Sequence, residues 1–211
     1  NSNYYYFASV DGNIDYYFIY VPSVKNVIKG YTHLTGTTPL PQLWTLGYQQ
    51  CRWAYCPEEN VYEIAKKFRE KDIPCDTIYL DIEYMDDFRV FTWDKNKFKD
   101  PKKMIENLND DGFKLVTIID PGVKVDKGYK IYDEGLENNY FATDKNGITY
   151  VNEVWPGDAV YPDFSNTKVR NWWADNQKIM MDAGVSGIWN DMNEPASFRG
   201  PLPDDVKFDN D

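Results

Sequence analysis

Short apolar segments alternate with amphipathic segments of helical period along most of this chain, and this alternation constrains its fold more than any other feature. The apolar segments cover residues 44–49, 76–82, 114–119 and 185–190. The segments with helical period cover residues 57–71, 100–109 and 167–183. Strands that are joined by helices form parallel sheets through right-handed crossovers. The sequence therefore predicts an α/β fold with four parallel strands.

Polar residues stand at the end of each predicted strand, at Gln49, Asp81, Asp120 and Asp191. Because the carboxyl ends of parallel strands meet at one rim, we expect these side chains to gather there, where a (β/α)8 TIM barrel keeps its chemistry. Four βα units are half of such a barrel, so we assign residues 37–211 to its first half. A half barrel has two open edges, which leaves association into a homo-oligomer open.

One long segment, residues 121–165, interrupts the alternation between the third strand and the last helix. Polar residues dominate this segment. We therefore interpret it as a long polar excursion that precedes the third helix.

The first forty residues have a different pattern. Aromatic and β-branched runs at residues 4–9 and 14–21 flank a turn sequence at residues 11–13, which predicts a β-hairpin. A short amphipathic helix is predicted for residues 23–34, capped by its first residue, a serine. Since two strands build no core by themselves, we predict that residues 1–36 are the C-terminal edge of an N-terminal β-sandwich domain with a connecting helix.

The composition excludes several classes of partner. With 23 basic and 34 acidic residues the net charge is −11, so the field repels nucleic acid phosphates. No basic run suggests a membrane surface, and no apolar run approaches the roughly eighteen residues that a transmembrane helix needs. A single histidine and three cysteines without C-x-x-C spacing predict neither a metal site nor another cofactor. Unpaired cysteines favour a reducing compartment such as the cytoplasm, although a disulfide between Cys51 and Cys56 stays open.

The last predicted strand runs into the sequence GIWNDMNEP at residues 187–195. A buried strand that ends in an aspartate is how a barrel presents a catalytic carboxylate to its substrate. The alternative is structural, since Asp191 and Glu194 have the spacing of a helix N-cap and its reciprocal glutamate. The complete nine-residue pattern favours catalysis.

This sequence closely resembles the nucleophile motif Trp-x-Asp-Met-Asn-Glu of glycoside hydrolase family 31, the retaining α-glucosidases and their relatives. Further segments resemble the family at residues 76–86, 117–122, 154–157 and 161–164. The resemblance implies that Asp191 is the nucleophile and that Glu194 supports the geometry. It also implies a set of substrate-binding residues: Asp81, Ile82, Ile118, Trp155, Trp189, Met192 and Phe198.

Two of these assignments have structural alternatives. Asp81 and the acidic residues after it could form a solvated or cation-holding loop, although the glycine of a calcium loop is missing. Trp155 could pack on its own excursion. The pair Arg52-Trp53 on the first strand–helix loop is assigned a structural role.

Retaining glycosidases need two carboxyl groups roughly 5 Å apart, one ionised and one protonated. In the family the proton donor, a stabilising arginine and a pocket histidine all lie downstream of the nucleophile motif. The resemblance therefore implies a fragment that carries the nucleophile half of an α-glucosidase site. Its expected partners are an oligosaccharide with terminal α-glucose and the remainder of the catalytic barrel. A non-catalytic carbohydrate-binding fragment and an α-transglucosylase remain as alternatives.

Overall fold

The computed structural model describes residues 3–8 and 12–208, and the chain divides into two compact units, Asn1–Pro41 and Gln42–Asp211. In the first unit, helix α1 spans Val24–Thr35. The predicted serine cap is confirmed, because the Ser23 side chain accepts a hydrogen bond from the backbone N–H of Asn26. Gly36 ends the helix with φ 83°, a left-handed conformation that glycine adopts without steric cost.

The predicted hairpin in the first unit is not formed as a strand pair. No strand is assigned within residues 3–8 and 12–21, and residues 9–11, which include the start of the turn, lie outside the described part. The aromatic side chains in these segments are largely exposed; Tyr5, for example, is 82% exposed. Two extended segments that bury no apolar face gain too little to offset the ordering of their backbone.

In the second unit, four strands and three helices follow the predicted alternation, and three short strands and one helix are additional. The strands are β1 Gln49–Gln50, β2 Thr77–Leu80, β3 Lys114–Ile119, β4 Val123–Lys124, β5 Val151–Val154, β6 Gly157–Val160 and β7 Gly187–Asn190. The helices are α2 Glu58–Glu70, α3 Pro101–Asp110, α4 Lys130–Glu137 and α5 Thr167–Asp182. Strands β1, β2, β3 and β7 form one sheet in that order, and every pair in it is parallel. The prediction of a partial (β/α)8 barrel is confirmed in this sheet.

The first strand is shorter than predicted. Residues 44–49 were expected to be extended, but Leu43–Leu46 is a turn of 3₁₀ helix and only Gln49–Gln50 pairs with β2. Gln42 holds the turn, because its carbonyl accepts hydrogen bonds from both the backbone N–H and the hydroxyl of Thr45, at 3.0 and 2.7 Å. These local hydrogen bonds compete with the extended conformation.

The polar excursion at residues 121–165 contains regular structure that the sequence analysis did not assign. This segment contains α4 and a second, antiparallel sheet in the order β4-β6-β5. Strands β5 and β6 form a hairpin in which Val154 pairs with Gly157, which has φ 88°. The strands are two to four residues long, too short for a strand period to stand out in the sequence.

The core lies on the side of the parallel sheet that the helices cover. Side chains alternate between the two faces of a strand, and Ile78, Leu80, Leu115 and Ile119 are at most 1% exposed. They belong to one cluster with residues of α2, α3 and α5, such as Val61, Met104, Ile105, Leu108 and Met180. The opposite face, called the inner face below, carries Tyr79, Ile118 and Trp189. Ile118 is 2% exposed and belongs to the same cluster, so the core also reaches this face.

Two further observations concern membrane-spanning helices and the cysteines. Among the described residues, no helix has the length and apolar character to cross a bilayer. All three cysteines are free, including Cys51 and Cys56.

Candidate active site

The sheet register brings predicted site residues from three strands into one row. Leu80 of β2 pairs with Thr117 of β3, and Ile118 pairs with Trp189 of β7. Asp81, which follows Leu80, therefore lies level with Ile118 and Trp189. All three side chains belong to the inner face, because each lies one residue beyond a position that packs under the helices.

Asp191 continues this arrangement one step beyond the end of β7. Its backbone N–H points to the carbonyl of Ile119 at 3.4 Å, so the chain still follows β3 at this residue. Side chains two residues apart in a strand lie on the same face, so the side chain of Asp191 belongs to the inner face, like that of Trp189. The carboxyl group is half-buried.

The segment after Asp191 turns sharply and does not form a helix. Met192 has φ 58°, a left-handed conformation that is unfavourable for a side chain with a Cβ. Its carbonyl accepts a hydrogen bond from the N–H of Ala196 at 3.0 Å. Since the described residues after 190 contain no helix, the alternative that Asp191 and Glu194 form a capping box is wrong. Glu194 itself is exposed.

Asp81 is held by the turn that follows β2. Its Oδ1 accepts a hydrogen bond from the N–H of Ile82 at 2.8 Å, at the start of a 3₁₀ turn that spans Ile82–Tyr84. The side chain of Ile82, expected to line the sugar pocket, is 5% exposed and belongs to the hydrophobic core.

Aromatic rings from three separate segments pack on one another and form an aromatic wall. Trp155, at the tip of the β5–β6 hairpin, lies edge-on to Phe198, with ring centroids 4.9 Å apart. Trp53 lies on its other side at 6.5 Å. Trp155 therefore packs on residues outside its own excursion. Trp53 is 64% exposed and joins a wall to which sequence reasoning did not assign it.

The hairpin and the segment after Asp191 are tied together by polar contacts. The N–H of Phe198 donates to the carbonyl of Glu153 at 2.9 Å. Arg199 forms ion pairs with Glu153 and Asp158 on the two strands of the hairpin. The wall is thereby attached to the end of β7.

Sequence reasoning did not name Asp120 as a site residue, although it follows β3 directly. Its side chain is 6% exposed, and its Oδ1 has no hydrogen-bond partner among the described residues. Burial, and then the nearby charges of Asp191 and Asp81, raise the pKa of Asp120 from the usual 3.8 to about 7. The sequence feature that could have identified Asp120 as a site residue is its position directly after an apolar strand.

A cavity of about 330 Å³ also lies near the end of β7, but on the other side of the sheet. It is lined by Ile119 and Asn190, which face the helices, together with Trp173 and Gln177 of α5. Asp191 and Asp81 do not line it. On the inner face, Ile118 and Asp120 are 2% and 6% exposed, whereas Trp189 and Asp191 are half-buried. Within residues 3–8 and 12–208, no three side chains of His, Cys, Asp or Glu are grouped to hold a metal ion.

Comparison with known proteins gives consistent matches. Residues 38–211 match the Glycosyl hydrolases family 31 TIM-barrel domain. Alpha-glucosidase 2 of Bacillus thermoamyloliquefaciens is 50% identical over 209 residues, which cover 98% of this chain and 27% of that protein. Neutral alpha-glucosidase AB of Sus scrofa is 44% identical over 196 residues, which cover 92% of this chain and 21% of that protein.

Among solved structures, the chain is similar to the ER glucosidase II heterodimeric complex of a catalytic subunit with the binding domain of a regulatory subunit. The TM-score is 0.83 at 41% identity, and the match covers 88% of this chain and 21% of that one. The chain thus spans between a fifth and about a quarter of the length of these relatives.

Proposed function

Because the chain belongs to glycoside hydrolase family 31, we propose that it provides the nucleophile half of the active site of a retaining α-glucosidase. The substrate would be an oligosaccharide with a terminal α-linked glucose. One observation carries the proposal: Asp191 ends a parallel strand on the inner face, one step beyond the row formed by Asp81, Ile118 and Trp189.

The proposed reaction has two displacements. In the first, a carboxylate oxygen of Asp191 attacks the anomeric carbon, the glycosidic C–O bond breaks, and a carboxylic acid on the opposite side of the bond protonates the leaving oxygen. In the second, that group, now a carboxylate, takes a proton from water, whose oxygen displaces Asp191 from the anomeric carbon. The product is glucose with its original α configuration.

The other predicted residues would bind the sugar. Asp81, oriented by its hydrogen bond from the N–H of Ile82, is suited to accept hydrogen bonds from sugar hydroxyls. Ile118, Trp189 and Met192 would contact the ring, and aromatic faces such as those of Trp155 and Phe198 pack well on sugar C–H groups. Ile82 and Glu194 would act indirectly, through the core and through the turn after Asp191.

We propose further that strands beyond these four complete the barrel and supply the acid. Strand β7 has an unpaired edge among the described strands, and so does the two-residue strand β1. Exposed edges of this kind invite further pairing. The missing strands could be part of the same polypeptide or of a companion chain.

The first test is the substitution Asp191→Asn in the intact protein, which removes the nucleophile and keeps the size of the side chain. We expect kcat for an α-glucoside to fall by at least about 10³-fold, with substrate binding retained. Asp182→Asn is the matched control, because Asp182 is the exposed last residue of α5, near the opposite end of β7. Unchanged turnover in Asp191→Asn would refute the assignment.

A second test identifies the intermediate and the stereochemistry. A fluorinated glucosyl fluoride, which slows hydrolysis of the glycosyl-enzyme, should leave one sugar on the peptide that contains Asp191, as measured by mass spectrometry. Proton NMR should detect α-glucose as the first product of hydrolysis. A β-anomer as first product, or a label on another carboxyl group, would contradict the mechanism.

A further inference from the structure

Asp120 and Asp191 extend from neighbouring strands toward the same place. Their predecessors, Ile119 and Asn190, are paired in the sheet register. The hydrogen bond from the N–H of Asp191 to Ile119 carries the pairing one residue further. Adjacent strands lie about 4.8 Å apart, and both side chains belong to the inner face. The two residues are therefore neighbours at the rim, and the charge of Asp191 acts on the carboxyl group of Asp120.

Nothing positive compensates this pair within the described part of the chain. The charged groups that act on Asp120 are the carboxylates of Asp191, from the end of β7, and of Asp81, from the end of β2. The buried phenol of Tyr84 also interacts with Asp120, and its hydroxyl donates to the carbonyl of Ile118 at 2.8 Å. None of the three carboxyl groups takes part in an ion pair among the residues described.

Two adjacent carboxyl groups that are buried in this way do not both ionise near neutral pH, so the pair retains one proton. The more enclosed member keeps it. Asp120 is 6% exposed and its Oδ1 lacks a partner, whereas Asp191 is only half-buried. A buried carboxyl group with an unpartnered oxygen is expected to find a hydrogen bond.

We propose that Asp120 is a positioning residue for the nucleophile: it bears the proton of the pair and donates it in a hydrogen bond to the Asp191 carboxylate. This hydrogen bond keeps Asp191 ionised and fixes the direction of its attacking oxygen. The inference rests on the proposed function, in which Asp191 is the nucleophile, and adds a residue to that site.

The same geometry argues against Asp120 as the general acid. In a retaining glycosidase the acid and the nucleophile flank the scissile bond, so that the acid reaches the leaving oxygen from the side opposite to the attack. Asp120 and Asp191 come from adjacent strands of one sheet and stand on the same side. Asp120 is thus placed to act on the Asp191 carboxylate rather than on the leaving oxygen.

Two substitutions in the intact protein test whether Asp120 acts as a hydrogen-bond donor or only fills space. Asp120→Asn retains an N–H donor of nearly the same shape, so we expect kcat to stay within about 10-fold of the wild-type value. Asp120→Ala removes the donor, and loss of one such donor to a reacting group lowers kcat by about 10²-fold or more. The acidic limb of the pH profile of kcat/KM should also move to higher pH in Asp120→Ala, but not in Asp120→Asn.

Asp163→Asn is the control for a merely structural effect. Asp163 is also 6% exposed, but its Oδ1 accepts hydrogen bonds from the N–H and the hydroxyl of Ser165. This variant should leave the acidic limb unchanged. Equal loss of kcat in Asp120→Asn and Asp120→Ala with an unmoved acidic limb would overturn the proposal. So would a loss in Asp120→Asn that an activated leaving group restores, because that result would make Asp120 the acid.

A readout without turnover separates this inference from the proposed function. In protein labelled with ¹³C at the aspartate carboxyl carbons, one resonance should titrate near pH 7. It should be missing from Asp120→Asn and should titrate at lower pH in Asp191→Asn. The absence of such a resonance would overturn the inference even if Asp191 proves to be the nucleophile. An active Asp191→Asn variant would instead refute the function and, with it, the positioning role, whatever the titration shows.

Discussion

The burial of the Asp120 carboxyl group leads to a prediction about protein stability, which does not depend on catalysis. Its pKa is raised from 3.8 to about 7, chiefly by burial and then by Asp191 and Asp81. The native state therefore binds a proton that the unfolded chain releases above about pH 4. Stability is full below that pH and falls as pH rises through the window from about 4 to 7, because the native state binds more protons there.

The size of the effect follows from the shift in pKa. A rise from 3.8 to about 7 corresponds to about 4 kcal/mol of unfolding free energy lost between pH 4 and 8, as an upper value. Water entry and relaxation around the charged form reduce it, so we expect about 2 to 4 kcal/mol. Asp120→Asn removes the ionisation. The variant should match the wild type within about 1 kcal/mol at pH 4.5 and exceed it in stability at pH 8.5.

Urea unfolding, followed by tryptophan fluorescence at pH 4.5, 7 and 8.5, measures this difference for the wild type, Asp120→Asn and Asp163→Asn. The advantage of Asp120→Asn should grow with pH, whereas Asp163→Asn should gain no such advantage above pH 7. A difference between Asp120→Asn and the wild type that stays constant from pH 4.5 to 8.5 would refute the reasoning. Asp191→Asn removes one of the two neighbouring charges that raise the pKa of Asp120. In this variant we therefore expect a smaller loss of stability, complete at a lower pH than in the wild type.

Three further predictions concern packing and hydrogen bonds, and equilibrium unfolding tests each. Tyr84→Phe leaves the buried carbonyl of Ile118 without its 2.8 Å donor and should cost about 1 to 3 kcal/mol; a cost near zero would mean that the contact is dispensable. Gly135→Ala should destabilise by about 1 to 3 kcal/mol, because its Cβ would lie 2.2 Å from the ring of Phe141. The gain of about 1 kcal/mol usual for alanine in a helix would contradict that crowding. Asp100→Ala removes the N-cap of α3 and should cost about 1 kcal/mol, most of which Asp100→Ser should restore; equal stability of the two variants would disprove the capping role.

The regular parts of the second unit were predictable because their patterns extend over enough residues. Helices α2, α3 and α5 begin and end within about two residues of the predicted limits, and β3 spans the predicted residues. Their periods of 3.6 and 2 residues reflect the geometry of burial, which the sequence records directly. The 3₁₀ turn at Leu43–Leu46 and the small sheet β4-β6-β5 were not predictable in this way. The strands of the small sheet span only two to four residues, and pairing between them stabilises the sheet.

Some features of the candidate site were likewise predictable from the sequence, and others were not. The sequence alone determined that Asp81, Asp120 and Asp191 stand at the ends of apolar strands, and its motif identified Asp191 by resemblance. Only the tertiary structure decided which of these carboxyl groups are neighbours, because sheet register places residues 71 positions apart in sequence, Asp120 and Asp191, beside each other. It also brought Trp53 to Trp155 and buried Ile82 in the core. Which carboxyl group keeps a proton depends on enclosure and on neighbouring charges, and both arise only when distant segments pack together.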